Sequence, residues 1–336
     1  MAELSSRPER RISPLHWAIF AAALALLIAL PFLAKAFGSP ASIGLATRIL
    51  IYAIAAASLN IALGYGGMVS FGHAAFFGLG AYVTGILYHH FISGDPLFGV
   101  ITGSNALLVT LPAAILVTGV MAAIIGALSL RTSGVQFIMI TLAFAQMLFF
   151  FFAALKIYGG DDGLIIRRRN TLFDLNLRDD TTFYFLCLGL TLVVFFLKAR
   201  IVGSRFGRVL EGIRQNERRM AIFGLSPYAY KLVAFAISGM GAGLAGALMA
   251  NYLRFVSPDM LHWTKSGELM IMVILGGVGT LFGPLFGAGA LVLLETVLAG
   301  WTEHWQIVLG PILLAIVLFR SDARALLARA FGRRAA

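Results

Sequence analysis

Long hydrophobic runs recur along almost the whole chain, and they constrain its fold more than any other feature. The runs lie at 17–37, 43–63, 68–91, 105–130, 134–155, 181–198, 229–252, 267–299 and 303–319. A helix needs about 20 apolar residues to cross a bilayer, so most of these runs are long enough. Only 12% of the residues are charged, which is about half the fraction that is usual in a soluble domain. The pattern predicts an all-α polytopic membrane protein with about 8–10 transmembrane elements.

The net charge of +11 is concentrated in three segments beside these runs. Residues 1–16, 198–231 and 320–336 hold 16 of the 26 Lys and Arg residues but only five of the 15 acidic residues. Basic clusters in short segments next to hydrophobic spans are typical of the cytoplasmic side. We therefore predict a cytoplasmic tail at 1–16, a transmembrane domain at 17–319 in contact with membrane lipid, and a basic cytoplasmic tail at 320–336. This distribution argues against nucleic-acid binding.

The polar segments between the runs fit the same topology. The first run follows a basic head, as in a signal peptide, but its length and the lack of a cleavage pattern favour a retained span. Five crossings then place residues 156–180, which carry five basic and five acidic residues, outside as an extracytoplasmic loop. A sixth crossing places 199–228 inside as a cytoplasmic loop. The run 267–299 is predicted to form two elements, because it contains a group of helix-breaking residues: Gly276, Gly277, Gly279, Gly283 and Pro284.

Two glycine-rich stretches resemble each other at an offset of 210 or 209 residues. Gly66-Gly67 and the residues up to Ala81 align with Gly276-Gly277 and the residues up to Ala290, with one gap. We interpret this as two related halves, each with a broken helix, an arrangement by which transporters mark the substrate pathway. The alternative is that helices rich in small residues resemble one another by composition alone.

Polar residues inside the apolar runs are few, and polar groups at membrane depth are unfavourable unless they are paired or face water. The candidates for the translocation path, including the glycines of the two breaks, are Asn60, Gly66, Gly67, Ser70, His73, Thr141, Gln146, Gly276 and Gly277. A lone residue such as His73 is also explained by packing within the bundle. Asp161 and Asp162, in a glycine-rich segment, indicate either a turn or a loop with a role in gating or in docking an extracytoplasmic protein.

The basic loop contains an amphipathic pattern between Ser204 and Pro227. Val209, Ile213, Met220 and Phe223 are predicted to share one face of a single helix, which Gly224 and Pro227 then end. The remaining faces carry Arg208, Arg214, Arg218 and Arg219. Such a helix suits either a membrane surface or a soluble partner. In the next run, Gly239-x-x-x-Gly243 allows close helix packing, within the subunit or between subunits.

The sequence carries no catalytic or metal-binding pattern. Its single cysteine, Cys187, lies in an apolar run, and the six histidines are scattered. There is no Gly-x-x-x-x-Gly-Lys-Ser/Thr phosphate-binding loop. We therefore expect no enzymatic activity and no cofactor, and any nucleotide chemistry that drives transport must come from another polypeptide.

Several motifs resemble those of the LivM-type permeases of branched-chain amino-acid ABC importers. The similarity covers roughly residues 45–320. It rests on Leu59-Asn60-Ile-Ala-Leu-Gly64-Tyr-Gly66-Gly67, Ser70-Phe-Gly72-His73, Gly134-Val-Gln-Phe-Ile-Met-Ile-Thr141, Gly159-Gly-Asp-Asp-Gly163, Phe206-Gly-Arg208, Ile213-Arg-Gln-Asn-Glu217 and Gly276-Gly-Val-Gly-Thr-Leu-Phe-Gly-Pro284.

The resemblance implies a bacterial inner-membrane importer with several subunits, in which 156–180 is a periplasmic loop and 199–228 a cytoplasmic coupling loop. A second related permease subunit would complete the membrane path, two cytoplasmic ATPases would bind the loop, and a periplasmic binding protein would deliver the substrate. The ATPase-coupling residues would be Arg208, Arg214, Glu217, Arg218, Arg219, Ala221 and Gly224. The Glu-Ala-Ala start that is usual in ABC permeases reads Glu217-Arg218-Arg219 here.

Other functions remain open at the level of the sequence. Permeases similar to this family handle urea, short amides or aromatic acids. An ion-coupled secondary transporter would need an acidic residue in the membrane, and Glu295 is the best candidate. A membrane-embedded enzyme is disfavoured by the missing catalytic cluster.

Overall fold

The structure is a computed structural model of the 336-residue chain. It describes residues 27–35, 38, 41–96, 102–172, 176–301, 307, 310 and 311. The two tails, most of the run 17–37 and nearly all of the run 303–319 lie outside the described residues. The helices are α1 (27–35), α2 (Ala41–Asn60), α3 (His73–Ser93), α4 (Leu107–Ser129), α5 (Val135–Ala154), α6 (Asp180–Gly203), α7 (Arg205–Gln215), α8 (Glu217–Ile222), α9 (Pro227–Leu253), α10 (Trp263–Gly276) and α11 (Gly283–Ala299).

Six of the described helices are long and apolar enough to cross a membrane, which confirms the prediction of an all-α polytopic membrane protein. They are α2 with the π-helical turn Ile61–Tyr65 that follows it, α3, α4, α5, α6 and α9. The predicted break in the run 267–299 is also present, because α10 ends at Gly276 and α11 begins at Gly283.

The six long helices differ in how far they are enclosed. In the most apolar 18 residues, 72% are buried in α2 and 67% in α3 and α9, but only 33% in α4 and 28% in α5 and α6. The helices α2, α3 and α9 therefore form the centre of the bundle. The outer faces of α4, α5 and α6 are left for lipid or for another subunit.

Glycines let the central helices approach closely. A Cβ added to Gly80 of α3 would lie 2.1 Å from the carbonyl oxygen of Gly243 in α9, and one added to Gly246 would lie 1.7 Å from that of Phe77. A Cβ added to Gly239 would lie 2.4 Å from the Cβ of Ala122 in α4. The Gly239-x-x-x-Gly243 pattern thus serves packing within the subunit.

The polar loop before α6 is folded onto the end of α9. Its strand β1 (Leu164–Ile165) pairs antiparallel with β2 (Phe255–Val256), with Leu164 opposite Val256. Arg169 donates from Nε to the carbonyl oxygen of Asn251 at 3.3 Å and from Nη2 to Asp180 at 2.6 Å. These bonds fix the loop to both α9 and α6.

The prediction of a single amphipathic helix between Ser204 and Gly224 is wrong, because the segment forms the two helices α7 and α8. Asn216 interrupts it with extended backbone, and its side-chain oxygen accepts a hydrogen bond from the backbone N–H of Arg219 as the N-cap of α8. Asparagine favours such a cap because its side chain satisfies a free N–H at the start of a helix. Phe223 consequently does not share a buried face with Ile213. Its side chain is 72% exposed.

Candidate translocation and coupling site

The two glycine breaks, which are far apart in the sequence, lie against each other in the bundle. The side-chain amide of Asn60, at the end of α2, donates to the carbonyl oxygen of Thr280 at 2.8 Å. Its oxygen accepts from the backbone N–H of Gly279 at 2.9 Å. One fully buried side chain therefore satisfies two backbone groups of the segment between α10 and α11.

Glycine is required where the breaks touch. A Cβ added to Gly64 would lie 2.6 Å from the backbone nitrogen of Gly279 and 2.0 Å from the side-chain oxygen of Asn60. Gly67 and Gly277 have φ values of +70° and +114°, a region that other residues rarely adopt. Of the predicted break residues, Gly66 and Gly277 are buried and Gly67 is exposed.

The surface helix α7 reaches one of these breaks directly. Leu210 and Ile213 are buried and hold α7 on the bundle. From the same helix, Arg214 donates to the carbonyl oxygen of Gly64, and its methylene groups lie over Gly67. Arg208, also predicted to serve coupling, is exposed. The end of the bundle where α7 and α8 lie is called the loop face below.

Next to α7, the helix α8 presents an exposed surface made of Arg218, Arg219, Ile222 and Phe223, here called the docking surface. Ile222 is 84% exposed. Glu217 forms an ion pair with Lys231 of α9, and this pair ties the start of α8 to the bundle. Ala221 and Gly224 are exposed, and Gly224 ends the segment with a φ of +78°. Exposed apolar side chains flanked by arginines suit a protein partner or a membrane surface.

A second polar group lies at the start of α3. The Nε2 atom of His73 is 2.7 Å from the hydroxyl of Ser238, which donates to the carbonyl oxygen of Ser58 at 2.6 Å. Ser70 accepts from the backbone N–H of Gly72 at 3.1 Å. These residues are fully buried. The group links α3 to α9 and α2.

Of the other predicted residues, Thr141 lies beside this group, because a Cβ added to Gly72 would lie 3.3 Å from its carbonyl oxygen. On α5, Thr141 is buried and bonds the carbonyl oxygen of Ile138, while Gln146 is partly exposed. Asp161 and Asp162 are exposed in a short 3₁₀ turn of the loop before α6. The turn interpretation of this segment is correct, and its docking role stays a prediction.

Two charged contacts were missed by the reading of the sequence. Lys198 was counted with the basic loop, but α6 continues to Gly203 and Lys198 is only 1% exposed. It donates to the carbonyl oxygens of Thr280 and Leu281 at 3.2 and 3.0 Å. Arg48 of α2 pairs with both oxygens of Glu295 at 2.8 and 2.9 Å. A basic residue within an apolar run was the available signal for Lys198. No group of metal ligands occurs among the described residues.

A family model described as the permease component of branched-chain amino acid transport systems matches residues 42–317. The chain belongs to this family. The match covers both glycine breaks, the loop face and every described membrane-spanning helix, so the resemblance drawn from the motifs is confirmed.

Individual permeases show the same relationship. The chain is 28% identical to the high-affinity branched-chain amino acid permease proteins LivM of Salmonella typhimurium and Escherichia coli K12, over 89% of this chain and 72% of each relative. It is 28% identical to the autoinducer 2 import permease LsrC of Shigella flexneri, over 41% of this chain and 43% of the relative. No solved structure matches the chain significantly.

Proposed function

We propose that this permease is the membrane-spanning subunit of an ABC importer that translocates leucine, isoleucine and valine. The observation that carries the substrate is the extent of the similarity. It covers 89% of the chain for the LivM proteins but only 41% for LsrC. Urea, short amides and aromatic acids remain the alternative substrates within this family.

The proposed complex contains a second related permease subunit, two cytoplasmic ATPases and a periplasmic binding protein, in the bacterial inner membrane with both termini cytoplasmic. The exposed faces of α4, α5 and α6 leave room for the second subunit. The docking surface on α8 offers two arginines and two apolar side chains to an ATPase. The chain itself lacks a phosphate-binding loop, so the ATPases would supply the energy.

The geometry supports a mechanical role for the loop face. Closure of the ATPases on ATP would shift α8 and α7 together, since only Asn216 separates them. Since Arg214 bonds the carbonyl oxygen of Gly64, the shift would reach the broken end of α2. The path candidates Asn60, Gly66, Gly67, Gly276 and Gly277 surround this point, whereas His73, Ser70 and Thr141 support the neighbouring helices.

The ion-coupled alternative needs an acidic side chain that is free to bind an ion or proton. Glu295 does not fit this need, because both of its oxygens accept from Arg48. Glu268, another acidic residue of the apolar runs, pairs with Lys265 at 2.9 Å. The structure therefore favours an energy source outside this chain.

The test is uptake by the purified complex, reconstituted in proteoliposomes with ATP inside and substrate-loaded binding protein outside. We expect ATP-dependent accumulation of labelled leucine, with isoleucine and valine as competitors. Accumulation of urea, acetamide or benzoate without leucine uptake would change the substrate. If no ATPase purifies with the permease and uptake ignores ATP, the ABC assignment fails.

A further inference from the structure

The contact between the two breaks joins segments that lie 219 residues apart in sequence, from Asn60 to Gly279. The central helices α3 and α9 meet through glycines, and the hydrogen bonds of His73, Ser238 and Ser58 join regular helical segments of α3, α9 and α2. At the breaks, by contrast, the bonds run from side chains to the backbone of irregular segments. Such bonds can form and separate as a unit if the segments shift.

Lys198 makes this contact unusual. Its ammonium group is buried, and among the described residues it forms no ion pair. The carbonyl oxygens of Thr280 and Leu281 are its hydrogen-bond acceptors. A buried cation must keep such acceptors because leaving it unsatisfied is strongly unfavourable. The segment between α10 and α11 therefore cannot leave Lys198 unless water or another acceptor replaces it.

Arg214 connects the same place to the surface. It bonds the carbonyl oxygen of Gly64 in the first break. A Cβ added to Gly279 in the second break would lie 3.4 Å from Nη1 of Arg214. One guanidinium group on α7 thus lies against both breaks, and any displacement of α7 changes its contacts with both.

We propose that Asn60, Lys198 and Arg214 form a latch that holds the two breaks together at the loop face, and that displacement of α7 by the ATPases opens it. The three are positioning residues: they act on the backbone of the breaks rather than on the substrate. Withdrawal of Arg214 frees the carbonyl oxygen of Gly64, and hydration of Lys198 then lets the segment 277–282 separate from Asn60. This inference rests on the proposed function, because it requires ATPases on the loop face.

The first experiment measures coupling in the reconstituted complex. Arg214→Met and Lys198→Met remove the donors, and Arg205→Met and Arg200→Met are matched controls, since both arginines are exposed on the same helices. We expect the two latch variants to retain their ATPases but to hydrolyse ATP without loaded binding protein. Uptake per ATP should fall about tenfold, as for the loss of a hydrogen bond to a charged group. Arg214→Lys should restore part of the ratio.

If Arg214 and Lys198 only stabilise the fold, the result is different. Uptake and ATP hydrolysis would then fall together in the two variants, and their ratio would stay at the parent value. That outcome, or a parent-like ratio at full activity, overturns the latch. If the parent complex itself shows no ATP-driven uptake, the proposed function has failed instead.

A second measurement tests the latch in the absence of the ATPases. Amide hydrogen exchange of the segment 277–282 in the purified full-length permease should be faster by about tenfold in Asn60→Ala, Lys198→Met and Arg214→Met. Exchange in α3, which the latch does not touch, should stay unchanged and serves as the control for folding. Unaltered exchange in 277–282 in all three variants would overturn the proposal even if a variant failed to assemble.

Discussion

At the scale of single residues, Gly64 sets how closely the two breaks approach. We expect Gly64→Ala to lower stability by about 1–3 kcal/mol, as overpacking does, and to abolish uptake. The added methyl would meet the backbone of Gly279 at 2.6 Å. The measurements are thermal unfolding in detergent and uptake. Gly189→Ala is the control, because an added Cβ there meets nothing within 4 Å. Equal behaviour of the two variants would refute this view of the contact.

At the residue scale, the sequence draws attention to a polar group where such groups are rare and not to a charge where charges are abundant. Asn60 stood out as a candidate because few polar residues interrupt the apolar runs. Lys198 did not, because it lies at the edge of a basic segment and a charge count cannot tell a buried end of a helix from a loop. Only the position of α6 against the segment after α10 shows that Lys198 is enclosed.

At the scale of elements, α8 is expected to hold the ATPase through its docking surface. Reversing the charges in Arg218→Glu with Arg219→Glu should abolish ATPase co-purification and uptake, with the amount of permease in the membrane unchanged. Arg131→Glu, an exposed change in the turn between α4 and α5, is the control. Full uptake by the double variant would remove the docking assignment.

The end of the same element gives an independent prediction. Gly224 has a φ of +78°, which proline cannot adopt because its ring fixes φ near −65°. Gly224→Pro should therefore reorient α8 against α9 and abolish uptake, while the permease still inserts. Quantitative immunoblotting of membranes and labelled-leucine uptake test this. Normal uptake at normal abundance would show that the orientation of α8 is not required.

The elements themselves were largely predictable, and their relations were not. Apolar run length gave the membrane helices, and the glycine cluster gave the break between α10 and α11. The division into α7 and α8 was missed because hydrophobic periodicity continues through Asn216, and a cap depends on backbone geometry that periodicity does not encode. The contact between the two breaks also could not be predicted from the sequence, because neither glycine pattern specifies which segment it will contact.

At the scale of the whole molecule, the bundle contains two units with the same order of parts: α2, a break and α3, then α10, a break and α11. The starts of α3 and α11, at His73 and Gly283, lie one repeat offset apart. The units are joined at the loop face by Asn60. Away from it, Arg48 and Glu295 join α2 to α11. This arrangement supports the interpretation of two related halves.

The pairing of Glu295 makes the source of energy testable on the whole complex. Since Arg48 neutralises this carboxylate, Glu295→Gln should retain ATP-driven uptake, with a modest loss of stability from the weakened pair. An ion-coupled transporter would lose uptake in this variant. In proteoliposomes, dissipating ion gradients with ionophores should leave parent and variant uptake intact, and omitting ATP from the lumen should abolish both. Uptake that persists without ATP but stops with ionophores, and is lost in Glu295→Gln, would establish ion coupling and reverse the assignment.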